Sequence, residues 1–264
     1  NLRYSDAPNN VAENTLAPEP YFMNIKANYF KNQLYHGYAI NRGSYVYSSS
    51  DDIGEGWTSP DIYPNRRLAA SFSNINLYKD GPGFSIKFGM AGTAINERNI
   101  RVKIFNTIID EEPMPYFTYL KKEIKNLPIS YLIDLNNLQV YFENTSSVTT
   151  DRYVVAFDEV TYPSKFIFNN QSDFYFQLPA TTTGNYLVID KFNYGSTAPV
   201  LFDITSNMRY IGDISTPGKV KFALPPSTIA LRKFQLSSTD PAVIRNVTSF
   251  QQRNFTNYAI NANQ

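Results

Sequence analysis

The sequence predicts an all-β protein: a β-sandwich or jelly roll with a second, smaller β unit, and few or no helices. Three observations carry this expectation. Tyr (20) and Phe (19) are abundant, and together with Thr they suit pleated, half-buried surfaces. Apolar and polar residues alternate with a period of two in several stretches. Turn residues separate those stretches at the spacing of a sandwich. At 264 residues and 42% hydrophobic content, the chain can hold one large all-β domain or two small ones.

Residues 1–20 are polar and carry Pro8, Pro18 and Pro20, which reads as an extended lead-in or linker. A sandwich is expected over 21–164. Within it, 34–47 mixes aromatics with Gly37 and Gly43, as in strands broken by turns or bulges, and 48–64 reads as a long loop. Leu68, Ala70 and Phe72, then Ile75 and Leu77, mark apolar positions. Asp80, Gly81, Pro82 and Gly83 signal a turn. Phe84, Ile86, Phe88 and Met90 alternate strictly, as do Ile100, Val102 and Ile104. Residues 116–127 are ambiguous, because Phe117, Leu120, Ile124 and Leu127 fit helical spacing, but Pro113, Pro115 and Pro128 bracket the run and we read it as strand. Strands are expected over 138–142 and 152–162.

A smaller β unit is expected over 165–239. It is built from strands at 166–168, 174–178, 186–192, 199–204, 219–224 and 231–236, with turns at Gly184 and at Pro217 and Gly218. Residues 240–264 are rich in Asn and Gln and read as a linker to a C-terminal domain lying beyond them. The chain starts at Asn1 rather than Met, which suggests a mature or trimmed chain with any signal peptide removed. No fixed-period repeat is present, and no apolar run approaches the length that spans a bilayer.

The equipment for chemistry is sparse. Cysteine is absent and His36 is the single histidine, so a cysteine nucleophile, thiolate metal sites and disulfides are excluded. His36 has no second histidine to join it in a zinc site, and we read it as a packing residue. Lys+Arg 24 against Asp+Glu 23 leaves a net charge of +1, which disfavours nucleic acid as a partner. Gly54, Glu55, Gly56 and Trp57, with Asp51 and Asp52 nearby, offer a calcium site or a sugar-stacking platform. Their spacing matches no EF-hand loop, and we read a turn whose tryptophan plugs the end of the sandwich. Asp158 and Glu159 are adjacent on a strand and point to opposite faces, so they cannot flank one glycosidic bond. Asp110, Glu111 and Glu112 offer a further carboxylate cluster, with Glu111 and Glu112 read as lying in a Pro-bounded loop. Sequons at Asn144, Asn170, Asn246 and Asn254 read as chance matches in an Asn-rich chain. No catalytic, cofactor-binding or metal residue is assigned, and no cofactor is expected.

One run has a counterpart elsewhere. Residues 184–214 (GNYLVIDKFNYGSTAPVLFDITSNMRYIGDI) contain Val200, Leu201, Phe202, Asp203, Ile204 and Thr205 as an apolar-Asp-hydrophobic-Thr strand. They resemble a segment just upstream of the catalytic domain in the PorU-type family, gingipain-type cysteine peptidases that act as signal peptidase, or sortase, of the type IX secretion system in Bacteroidetes. Residues 232–238 and 247–264 resemble the connector entering that peptidase domain, and 157–168 resemble a strand of the same region. The loop with Gly54 to Trp57 departs from the family's order of Ser-Gly, Trp, then Gly-Glu.

The resemblance implies a secreted protein at the outer membrane or cell surface, with the periplasm as the alternative compartment. The peptidase's Cys and His would lie beyond Gln264, so no catalytic residue carries over and this region alone is expected to be no enzyme. Its partners would be its own C-terminal peptidase domain and other secretion-system outer-membrane proteins. The reading set beside it is a carbohydrate-binding or adhesive jelly roll on a bacterial surface, for which aromatic side chains should line up on one solvent-facing sheet.

Overall fold

A computed structural model describes residues 3–35, 39–41, 45–47, 56–243, 249 and 251–252, and the side chains of these apart from 35, 39–41 and 45–47. In chain order the strands are β1 (Ser5–Asp6), β2 (Phe22–Tyr29), β3 (Gln33–Tyr35), β4 (Ala39–Asn41), β5 (Tyr45–Tyr47), β6 (Gly56–Thr58), β7 (Arg67–Ser73), β8 (Phe84–Gly92), β9 (Asn99–Ile104) and β10 (Thr107–Pro113). They continue with β11 (Tyr119–Leu127), β12 (Asn137–Asn144), β13 (Tyr153–Ser164), β14 (Asp173–Pro179), β15 (Asn185–Asp190), β16 (Val200–Asp203), β17 (Met208–Ile211), β18 (Lys219–Leu224) and β19 (Leu231–Ser237). Among the described residues the helical content is two 3-10 turns, Val11–Glu13 and Ile129–Tyr131. The fold is all-β.

Two four-stranded sheets, β10-β9-β12-β7 and β11-β8-β13-β2, face each other in the first lobe. Their inward residues are the alternating positions of the sequence: Phe84, Ile86, Phe88 and Met90 from β8, Ile100, Val102 and Ile104 from β9, and Leu138, Val140 and Phe142 from β12. At a side-chain period of two, such alternation buries one face and leaves the other wet. The ambiguous run 116–127 forms β11 against β8, with Leu120 and Ile124 packed on the core. One extra residue, Ala156, bulges β13 against β8 between Val155 and Phe157. The bulge inverts the alternation, so Tyr153 and Val155 before it share the inner side with Val160 and Tyr162 after it.

The second lobe stacks the sheet β1-β17-β16-β19-β14 with the ribbon β15-β18 over its own core of Phe168, Leu187, Ile189, Leu201, Phe222, Phe234 and neighbours. Phe22, at the start of β2, belongs to this second core. Its ring packs 4.9 to 6.0 Å from those of Phe166, Phe168, Phe174 and Phe176. One strand therefore serves both lobes.

Several local expectations are corrected. Residues 166–168 form no strand; Ile167 makes a single bridge to Asp190 while both phenylalanines turn into the core. Asp110, Glu111 and Glu112 are in strand β10, not a loop, because they pair along β9 from Val102 to Ile100. The stretch 48–64 contains strand β6, in which Trp57 pairs with Leu34. Trp57 is 58% exposed, so it does not plug the sandwich. Residues 3–20 are extended, yet tethered to the second lobe along their length. Ser5 and Ala7 donate backbone N–H groups to Asn207 and Arg209, and the Asn9 carboxamide bridges Ile211, Lys221 and Ala223.

Candidate functional site

Among the described residues, each lobe buries one arginine-aspartate pair. In the first, Arg98 Nε donates to Asp151 Oδ1 at 2.8 Å, and its remaining nitrogens donate to the carbonyls of Ala94, Met114 and Tyr116. Asn144 Nδ2 donates to Asp151 Oδ2 and to the Ile62 carbonyl, both at 3.0 Å. In the second, Arg232 donates through Nε and Nη2 to Asp203 Oδ2 at 2.9 and 2.7 Å, while Asp203 Oδ1 accepts the Thr205 and Ser206 N–H groups. A buried ion pair is tolerated when its other donors and acceptors are satisfied, and these are. Both pairs hold loops in place and leave no reactive group free. Asn144 is 2% exposed and committed to this network, so its sequon cannot take a glycan in the folded chain.

The outer face of the β11-β8-β13-β2 sheet is different. Tyr29 and Phe157 are opposite each other across β2 and β13, their centroids 6.2 Å apart, and Phe157 is opposite Gly89 on β8. A Cβ on Gly89 would lie 2.5 Å from Phe157 Cε1 and 2.9 Å from Tyr119 Oη. The Phe157 ring edge and the Tyr119 hydroxyl therefore lie over the glycine, and only the absence of a side chain there lets them reach the sheet. Tyr119 also covers Ala91 and Val154, a small apolar cluster on the same face. Tyr29 is 66% exposed. The next row along the strands is polar: Glu123, Lys87 and Glu159 are side by side on β11, β8 and β13. Beyond Tyr29 the chain enters the β3-β6 ribbon with its exposed Leu34 and Trp57.

The acidic residues singled out in the sequence separate. Asp158 points into the sandwich and is fully buried, whereas Glu159 faces outward. Neither Asp158 oxygen has a hydrogen-bond partner at ordinary distance. Burial pushes its carboxyl up to about 7, against a smaller opposing pull from the Asn28 amide across the ladder. Asp110 and Glu112 point inward and grip Lys122 Nζ at 2.6 and 2.8 Å, while Glu111 turns outward to Arg101. His36, Asp51, Asp52, Gly54 and Glu55 lie outside the described residues, as do Asn246 and Asn254. Among the described residues no group of three or more His, Asp or Glu side chains is placed to hold a metal ion. No helix among them is long and apolar enough to cross a membrane.

A cleft of about 560 Å³ opens between the N-terminal strap and the second lobe, with Leu16, Met208, Pro225 and Pro226 on its walls and Glu13 and Asn10 at its rim. Arg232 reaches its floor but is already occupied by Asp203. Sequence reasoning missed both this cleft and the aromatic face. The cleft depends on where residues 7–16 dock, which has no sequence signature. The aromatic face could have been found from Tyr29, Gly89 and Phe157 only by knowing the strand registers.

No protein-family model matches the sequence, and no curated protein matches it. Among solved structures, the fold is similar to that of dimeric latent PorU from Porphyromonas gingivalis, with a TM-score of 0.53 and 12% identity over 89% of this chain and 22% of that one. The chain thus spans about a fifth of the length of the protein it matches. Slighter likenesses, over about half of this chain, are to carbohydrate-binding module CBM36 in complex with calcium and xylotriose (TM-score 0.32, 13% identity, 51% of this chain, 98% of that chain) and to the CBM36-1 domain of a multidomain xylanase from the hindgut metagenome of Trinervitermes trinervoides (TM-score 0.31, 12% identity, 52% of this chain, 96% of that chain). At such identities the likeness is one of fold, and the fold is PorU-like.

Proposed function

We propose that this chain is a non-catalytic β region of a secreted, surface-associated cysteine peptidase of the gingipain type, one that processes C-terminal secretion signals in type IX secretion. It acts there as scaffold, cover or interaction surface for the catalytic domain. The observation that carries the reading is the PorU-like fold over 89% of this chain, matched to a 22% portion of a much longer protein. The composition supports it: a chain without cysteine cannot supply the nucleophile itself. Its buried charged pairs are all committed to structure.

The test is the coding sequence that follows Gln264. A domain carrying a His and Cys pair in the same reading frame is the expected result. A stop codon or an unrelated domain there would overturn the reading. If the peptidase domain is present, removing residues 1–264 should impair signal cleavage without altering the catalytic dyad.

A further inference from the structure

We propose that the outer face of the β11-β8-β13-β2 sheet is a binding platform for a neutral oligosaccharide, with Tyr29, Phe157 and Tyr119 as stacking surfaces and Lys87 and Glu159 as hydrogen-bonding groups. At Gly89 a side chain would collide with the Phe157 ring and with the Tyr119 hydroxyl, which come from two different strands, so the glycine lets both settle against the sheet in the free protein. Prearranged rings lose little freedom on binding, which is where much of the cost of recognition lies. The rings run across the sheet from β11 to β2, about 14 Å at the usual strand spacing, a strip rather than a pit.

The chemistry beside the strip selects the ligand. Lys87 sits between Glu123 and Glu159 in register, and Lys121 stands opposite Gly89 in the neighbouring row, so two ammonium groups balance two carboxylates there and present no net charge to attract a phosphate or a polyanion. Among the described residues neither Lys87 nor Glu159 is in an ion pair; the Lys87 ammonium instead lies 6.0 Å from the Phe157 ring centroid. An ammonium and a carboxylate left without ionic partners beside aromatic faces suit a ligand with many hydroxyls on one edge and C–H groups on its flat sides. A pyranose chain has that pattern. A protein partner would more commonly find a continuous apolar patch, and here charged rows interrupt the aromatic one.

The 264-residue chain should be titrated calorimetrically with xylohexaose, cellohexaose and mannohexaose in turn. A saturable isotherm is expected with at least one, weakened about tenfold by Tyr29→Ala, a substitution at an exposed position that leaves the melting temperature in place. Glu159→Gln should weaken it less, and Tyr175→Ala, an exposed tyrosine of the second lobe, should leave it unchanged. Gly89→Ala should abolish it while the far-ultraviolet circular dichroism stays all-β. Absence of an isotherm with all three sugars overturns the proposal, as does binding that Tyr29→Ala leaves intact. A concentration-dependent dimer that Tyr29→Ala dissolves would assign the face to a second copy of the chain and overturn it equally.

Discussion

The two open sides of the first sandwich solve the same problem differently. Where β10 and β11 meet, Lys122 points between the sheets and is held by Asp110 and Glu112. Burial pulls its ammonium down, but the two carboxylates together win and raise it. Where β2 and β7 meet, Lys26 points inward and finds only the Ser73 carbonyl, and burial lowers its ammonium. Two residues along β2, Asn28 faces Asp158, a buried carboxyl whose oxygens, like the Asn28 amide nitrogen, have no partner at hydrogen-bonding distance. An unpaired buried polar group costs more than a paired one returns. The first side pairs its lysine with two carboxylates, although Asp110 Oδ2 stays unpartnered and burial raises that carboxyl. The second, carried by the strand that also plants Phe22 in the other lobe, is held together by packing.

The largest effect that sharpens this contrast is therefore at Phe22. Phe22→Ala should cost about 3–5 kcal/mol, as for other buried phenylalanines, and should split one melting transition into two by unlinking the lobes. A single transition at a lower temperature would instead place the linkage elsewhere.

Next comes Asp158. Burial pushes its folded carboxyl up to about 7 from an ordinary aspartate value of 3.8, so between those values the folded state keeps a proton the unfolded state gives up. Stability should fall as pH rises from about 4 to about 7. The upper figure for that loss is about 4 kcal/mol, from three pH units at about 1.4 kcal/mol each. Asp158→Asn should flatten this part of the curve in denaturant titrations across the range, and an unchanged slope would mean the site takes up water or a partner when ionised. A smaller effect is expected on the other side: Lys122→Met should cost about 1 kcal/mol and become less harmful in high salt. Lys26→Met should stay within about 0.5 kcal/mol of neutral. Equal costs for the two lysines would erase the distinction between the sides.

Much of the fold was legible because burial follows alternation. Phe84 to Met90 and Ile100 to Ile104 announce which side faces the core, and the Pro-bracketed run at 116–127 was readable as strand from its flanks. Strand β10 was not, since its second half, Asp110 to Pro113, is acidic and ends in proline. Its lysine partner lies ten to twelve residues away on β11. The depth of Asp158 was hidden by the Ala156 bulge, which makes Val155 and Asp158 face the same way although they are three apart. Trp57 misled because a lone tryptophan invites burial, whereas its strand β6 is a short ribbon that leaves it in solvent. The aromatic face needed registers from four strands at once, and no local pattern encodes those.

The central claim is that this two-lobed region works by contact with a catalytic partner rather than by chemistry of its own. The most direct measurement is calorimetric titration of the 264-residue chain with a separately produced copy of the peptidase domain that the proposed function places after it. The account predicts a saturable one-to-one association, insensitive to Tyr29→Ala if the sugar platform is a separate face. A correctly folded peptidase domain that shows no association, and cleaves its substrate equally well with or without this chain, would contradict it.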